Sequence, residues 1–295
     1  MVAFQTEQLH TLLAVLERGT FEAAAQQLHV SASAISQRIK AMEQTAGQIL
    51  LQRTTPITAT SAGTVVHRLA RQLRQLEADA SVELGLQSTD RASIAVVVNA
   101  DSLATWFMDA LATLVPDGTL SCEVIRADEQ HSVDLLRSGE VMAAVTATAD
   151  PVQGCSVLPL GAMTYRAVAS AAFMNQWFPQ GFSTQHFAAA PAMQFDRNDT
   201  LQSNFFTAMT GSPLLGTQHF IPDTLQFGEA VKRGLGWGLI PESHCRLDLD
   251  AGELIELRPG YISSIPLFWQ RWKIKSAALT QLSEAVTQAA AMALT

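Results

Sequence analysis

Ser31, Ser33, Ser36, Gln37, Arg38 and Lys40 crowd into one short stretch, HVSASAISQRIKAME, residues 29–43. Hydroxyls donate and accept hydrogen bonds. Gln and Arg make paired bonds to adenine and guanine edges respectively, and basic groups neutralise phosphates. On one face of a helix, that set suits double-stranded DNA. A second polar group follows the apolar run Ile94–Val98: Asn99, Asp101 and Ser102 in NADS. Backbone N–H groups and a hydroxyl at a strand-to-helix junction suit a carboxylate. Carboxylates that could take cations are Asp101, Asp196 and Asp199 in FDRND, and Asp223 after HFIP; Thr146 ends the apolar run VMAAVT nearby in the pattern. The plainer role for Asp or Ser at a strand end is to cap the next helix. That alternative stands beside the ligand reading, most of all for Asp101 and Asp223.

The elements that must carry the first set are legible from spacing. Leu9, Leu12, Leu13 and Leu16 share one helix face, and Gly19 ends that helix. Thr20 caps a short Ala-rich helix, HVS makes a turn, and Ser31 caps a third helix. In it Ala34, Ile35, Ile39 and Met42 point inward and the polar residues are left outward. Helix, tight turn, helix is the order of a helix-turn-helix, whose second helix enters the major groove. The stretch ILLQRTTPITATSAG reads as a two-stranded wing with Pro56 at its tip and Arg53 placed for a phosphate or the minor groove. A three-helix bundle with one polar helix is the alternative. Beyond it, Val66, Leu69, Leu73, Leu76 and Ala80 repeat with heptad spacing, which predicts a long helix pairing with its copy in a homodimer.

The charge is unevenly spread. The chain of 295 residues carries net charge −8, yet residues 1–88 hold seven basic and seven acidic side chains. Within 28–74, Arg38, Lys40, Arg53, Arg68, Arg71 and Arg74 face a single acid, Glu43. A basic stretch on an acidic chain is the footprint of a nucleic-acid module joined to something else, or else a solvated helix face. Cys122, Cys155 and Cys245 are odd in number and far apart, and read as free thiols of a reducing cytoplasm. No apolar run reaches the roughly 18 residues of a membrane span, and the first residues lack a secretory signal's pattern.

From residue 89 apolar runs alternate with helical patterns, which predicts an α/β fold with open, mainly parallel sheets and a cleft between two lobes. Enzyme signals fail. GLGWG follows a helix and precedes a strand, the wrong context for a dinucleotide loop. No nucleophile elbow or phosphate loop occurs, and His244–Cys245 cannot fill a zinc shell. No catalytic residue, metal or cofactor is expected.

FEAAAQQLHVSASAISQRIKAME with LLQRTTPITATSAG resembles the N-terminal signature of LysR-type transcriptional regulators. Ala24, Ala25, Leu28, Ser31, Ser33, Ala34, Ser36, Ile39 and Glu43 carry the match. Ala32 stands where the family commonly has Gln, and Pro56 where a second wing Arg is common, so operator preference does not transfer. VNADSLATWF, LRSGEVMAAVT, FPQGF, FGEAVKRGLGWGLIP and AGELIELRPG resemble the lysine- and arginine-responsive, LysG/ArgP-like branch. The resemblance implies a winged helix-turn-helix over 1–60, a linker helix over 61–88 and a periplasmic-binding-protein-like effector domain over 89–295. Its lobe I would be 91–165 plus 266–295, and lobe II 166–265. It implies a cytoplasmic, nucleoid-associated activator of a basic amino-acid exporter gene, answering L-lysine or L-arginine. It would work as a homodimer paired into a tetramer, with RNA polymerase as a further partner. The rivals are a regulator answering another metabolite, a solute-binding protein with an N-terminal dimerisation module, and an architectural DNA binder.

Overall fold

Three short helices wrap one small apolar core at the N-terminus of the computed structural model, which describes residues 4–85, 92–114 and 120–295. Helix α1 (Thr6–Arg18) buries Leu9, Leu12, Leu13 and Val15 and ends at Gly19 in left-handed conformation. Helix α2 (Phe21–Gln27) is capped by the Thr20 hydroxyl, and its Ala24 and Ala25 let α3 (Ala32–Ala46) approach closely. Strands β1 (Leu51–Gln52) and β2 (Thr58–Ala59) form the antiparallel wing, with Leu51 opposite Ala59. The wing is tied to the α1–α2 turn by the Ile57 N–H, which donates to the Gly19 carbonyl at 2.8 Å. Glu43 has a structural job: its Oε1 accepts from the Leu50 and Leu51 amides at 2.9 and 3.4 Å, fixing the entry to the wing.

Helix α4 (Ser61–Glu83) begins where Gly63 lies against the Leu50 carbonyl; a Cβ there would stand 1.9 Å from that oxygen, so TSAG needs its glycine. The heptad seam divides. Val66, Ala70 and Leu73 pack into the N-terminal core, whereas Leu69 (46%), Leu76 (40%) and the neighbouring Val65 (60%) stay exposed with Ala80. A single a/d stripe is therefore corrected to two adjacent stripes. At about 100° per residue, Val66 and Leu73 lie toward α1, and Leu69 and Leu76 lie round to one side.

The remainder is built on a seven-stranded mixed sheet, with a separate two-stranded parallel sheet beside it. Strand β3 (Ala92–Val98) lies between two neighbours, and its Ile94–Val98 are all buried, as an apolar run without alternation requires. It leads into α5 (Ala100–Ser102), a π-helical turn (Leu103–Phe107) and α6 (Met108–Leu114). Strand β4 (Leu120–Arg126) pairs parallel with β3; after α7 (Glu129–Ser138), β5 (Ala143–Thr146) pairs parallel on its other side. The long β6 (Cys155–Ser170) then carries the chain away to α8 (Ala171–Trp177), α9 (Thr184–Ala189), β7 (Ala192–Gln194), α10 (Leu201–Thr210), β8 (Gln218–Phe220), α11 (Thr224–Lys232), β9 (Gly238–Pro241), α12 (Glu242–Asp250) and β10 (Leu254–Glu256). Strand β11 (Ser263–Trp272) returns antiparallel along β6, and α13 (Ala277–Ala293) packs back on α6.

The sheet is thus mixed rather than mainly parallel. Strands β6 and β11 cross between two lobes in opposite directions, so they must pair antiparallel with each other. One end of β6 meets only β11, while its other end, Tyr165–Ser170, meets β9 and β10. Trp106, Phe107, Trp269 and Trp272 fill the first lobe, and Phe173, Phe187, Phe205 and Trp237 the second. The expected linker end at 88 and lobe start at 91 lie outside the described residues.

Candidate functional site

The outer face of α3 presents Ser33, Gln37 and Lys40, all exposed and three or four residues apart. Ser31 is exposed too, but its hydroxyl is engaged: it caps the helix by accepting from the Ala34 amide at 3.2 Å and lies 2.9 Å from the Ser33 hydroxyl. Ser36 is half-buried at the edge of the same face. Arg38, expected outward with the others, is corrected. It sits roughly 140° round the helix from Ser33, beside α1, where its guanidinium meets Glu7 at 3.1 Å and the Thr11 hydroxyl at 3.3 Å. Arg53 is exposed on the wing, its guanidinium 6.0 Å from the centre of the Phe21 ring.

The second group lies between the lobes. Asn99 caps α5, accepting the Ser102 amide at 3.2 Å, and the Leu103 amide donates to the Asn99 carbonyl at 3.1 Å. The Ser102 and Leu103 amides, two of those at the junction expected to cradle a carboxylate, are therefore used within the turn. Left over is the Ser102 hydroxyl, fully buried and without a hydrogen-bond partner among the described residues. Next to it, the Asp101 carboxylate joins the lobes. Its Oδ2 accepts from the Tyr165 hydroxyl and its Oδ1 from the Thr224 hydroxyl, both at 2.7 Å. Tyr165 stands on β6 where the lobes meet, and Thr224 opens α11 in the second lobe. Burial and the Asp101 charge hold the Tyr165 phenol well above its ordinary pKa, so it stays a donor. Sequence reasoning missed both partners, since only tertiary contact brings residues 101, 165 and 224 together.

The other acids separate by role. Asp199 is pushed up from its ordinary value chiefly by burial, with Asp101 and Asp196 adding repulsion. Its oxygens accept from the Leu201 and Phe195 amides at 2.9 and 3.3 Å. Asp196 spends Oδ1 on the Asn198 and Asp199 amides at 2.7 and 3.0 Å, a local turn. Asp223 caps α11 through the Gln226 amide at 2.9 Å and is exposed. Thr146 is buried, but its hydroxyl donates to the Thr148 carbonyl and accepts from Gln270. The lobes are further joined where Arg126 donates to the Pro222 carbonyl at 2.7 Å and His244 Nε2 to the Ala104 carbonyl at 3.3 Å. Ala104 belongs to the π turn, a helical irregularity frequent at functional sites.

Among the described residues no group of three metal-ligating side chains converges and no helix is long and apolar enough to cross a membrane. Residues 6–64 match the model of the bacterial regulatory helix-turn-helix protein, lysR family, and residues 87–291 match the LysR substrate binding domain. The chain belongs to the LysR family. It is a DNA-binding regulator of transcription and not an enzyme. It is 40% identical over 284 residues to the HTH-type transcriptional regulator LysG of Mycobacterium tuberculosis, covering 96% of this chain and 92% of that one. It is 38% identical over 285 residues to the lysine export transcriptional regulatory protein LysG of Corynebacterium glutamicum, covering 96% and 97%. The crystal structure of ArgP from M. tuberculosis matches with TM-score 0.91 at 40% identity over 97% of both chains. Full-length C. glutamicum LysG with bound effector Arg matches with TM-score 0.86 at 36% identity, over 98% of this chain and 99% of that one. A further full-length LysG structure from that organism matches at the same identity with TM-score 0.63, over 99% of both.

Proposed function

We propose that this LysR-family regulator activates a basic amino-acid exporter gene when L-lysine or L-arginine enters the cleft between its lobes. The observation that carries the reading is Asp101, an acid shared by both lobes beside a buried, unpartnered hydroxyl. A carboxylate offers about four lone-pair sites, so two hydroxyl donors leave room for an ammonium. Asp199, close enough to Asp101 to feel its charge, offers a second acid for the distal cation. Ser102 then supplies a donor to the ligand carboxylate. The relatives support the choice of ligand: one is named for lysine export, and a LysG structure holds arginine. A ligand that bridges both lobes favours their closed arrangement, and it shifts the equilibrium only by that differential affinity.

At the other end, Ser33, Ser36, Gln37 and Lys40 read the major groove, with Ser31 setting the helix start and Arg53 contacting the backbone or minor groove from the wing. Arg38 buttresses α3 against α1 and reaches the phosphates at most from its flank. Leu69, Leu76 and Ala80, with Val65, pair two linker helices, so that a homodimer presents two reading heads; two dimers make the tetramer that engages RNA polymerase on cytoplasmic DNA. Calorimetry of the full chain against a panel of amino acids tests the effector reading. Heat is expected with lysine or arginine and none with glutamate or leucine; no heat with either basic amino acid ends the assignment.

A further inference from the structure

The second lobe holds two buried side-chain amides that its own chain leaves unsatisfied. Gln194 ends β7, and Gln202 lies in the first turn of α10, the helix packed on β7; they are 2% and 1% exposed. The Gln194 Nε2 donates to the Gln218 Oε1 at 3.2 Å, but the Gln194 Oε1 has no hydrogen-bond partner among the described residues, and neither has the Gln202 Oε1. A buried acceptor left unpaired carries the full cost of its desolvation. Packing does not account for two of them at one junction, because an apolar side chain of similar size would fill either place without that cost. The chain between them is the Asp199 turn. The half-buried Asp199 carboxylate accepts from the Phe195 and Leu201 amides, each next in sequence to one of the glutamines. It is also near enough to Asp101 to feel that charge. Arg197, the cation of the same turn, is exposed and lies over the Phe220 ring, 5.0 Å from its centre, and supplies neither glutamine oxygen with a donor.

An acid flanked by two unpaired amide oxygens suits a cation rich in N–H donors, and the two basic amino acids differ there. An ammonium carries three donors on one atom, whereas a guanidinium carries five in a planar fork over three nitrogens. Acceptors held on a strand end, a turn and a helix start suit donors spread over several atoms. We propose that Gln194 and Gln202, with Asp199, read the guanidinium of the effector, so that the cleft selects L-arginine over L-lysine. The inference rests on the cleft binding a basic amino acid and names which one. With all its donors on one nitrogen, lysine leaves one of the two glutamine oxygens unpaired, and a site built to hydrogen-bond a group discriminates against the analogue that lacks it.

The test is calorimetry of the full chain with L-arginine, L-lysine and Nω,Nω-dimethyl-L-arginine, which keeps the charge but loses two donors of the fork. The same ligands are titrated into Gln194→Met and Gln202→Met, where methionine fills a similar volume without the amide. The parent is expected to bind arginine at least about tenfold tighter than lysine, with the dimethylated ligand falling toward lysine. Each variant, shown folded by its melting curve, is expected to lose most of that preference through weaker arginine binding, with lysine little changed. A merely structural role would lower both affinities together and leave their ratio as it was. Lysine bound by the parent within about threefold of arginine overturns the proposal, as does a dimethylated ligand that binds like arginine, or an unchanged ratio in both folded variants. If a variant fails to fold, the three ligands on the parent decide. No heat with any of them ends the effector reading and this inference with it; heat without the preference ends this inference alone.

Discussion

Replacing Asp101 by Asn keeps the side chain's shape and removes its charge. In the structure both carboxylate oxygens accept hydroxyl donors at 2.7 Å, one from the crossing strand and one from the second lobe. A hydrogen bond to a charged group contributes about 1.5–3 kcal/mol, against about 0.5–1.5 for a neutral one. With Asn one hydroxyl keeps a neutral acceptor, while the other faces an NH2 group that only donates and must turn round to accept, so the closed arrangement weakens by about 2 kcal/mol. The ligand ammonium also loses its counter-charge, which at about 4 Å and an effective dielectric of about 20 is an attraction of about 4 kcal/mol before desolvation is subtracted. A net loss of about 2–4 kcal/mol corresponds to a roughly thirty- to thousandfold weaker arginine or lysine affinity. Calorimetry measures it, with thermal melting to show that the fold persists and a DNA shift assay without ligand to show that the reading head is intact. Asp196→Asn is the matched control. Its oxygen already serves the Asn198 and Asp199 amides, and an amide oxygen accepts those bonds as well. A folded Asp101→Asn chain with affinity within about threefold of the parent refutes the reasoning, as does an Asp196→Asn chain that loses as much.

Lys40→Ala should weaken DNA binding and reduce its salt dependence by about one contact, measured by shift assays at several salt concentrations, whereas Arg38→Ala should chiefly lower the melting temperature. Leu69→Asp with Leu76→Asp should lower the mass seen in sedimentation while leaving the monomer folded; Leu73→Asp should instead unfold the N-terminal core, seen as a lower-temperature transition. The contact of α4 with the first lobe, where His67 Nδ1 lies 3.3 Å from the Ser138 carbonyl, should weaken in acid. Burial, helped by Arg71 and opposed by Glu140, Glu17 and the Ser138 carbonyl, lowers the His67 pKa from 6.5. With the native value depressed, the free imidazole takes the proton first, so this contact's contribution is complete above about pH 6.5 and is lost as the pH falls through the lowered value. Ligand-free scattering across that window should show expansion in the parent and none in His67→Asn.

Local chemistry made the reading head legible. Ser31, Gly19 and the Ile35–Ile39–Met42 face each act within one turn of their own helix, so residue type and spacing place them. Arg38 escaped because polar residues beside a helix's buried stripe look outward in the sequence; only the approach of Glu7 and Thr11 on α1 turns it inward. The linker failed in the same way. A 3-4-3-4 repeat is satisfied equally by a partner helix or by the chain's own core, and here the core takes Val66 and Leu73 while Leu69 and Leu76 stay exposed.

The cleft shows the opposite limit. Asp101, Asp196 and Asp223 are alike in sequence: each is an acid beside a strand end. Two of them spend one oxygen each on amides two or three residues away, contacts that any Asx turn or cap makes. Asp101 does not, because Asn99 already caps its helix, and the carboxylate is released to reach across 64 and 123 residues to hydroxyls on other elements. The informative signal was therefore the residue two positions earlier. Where a strand end carries both a cap and a further acid in the first turn, the cap is spoken for, and the acid is the group left to do chemistry between the lobes.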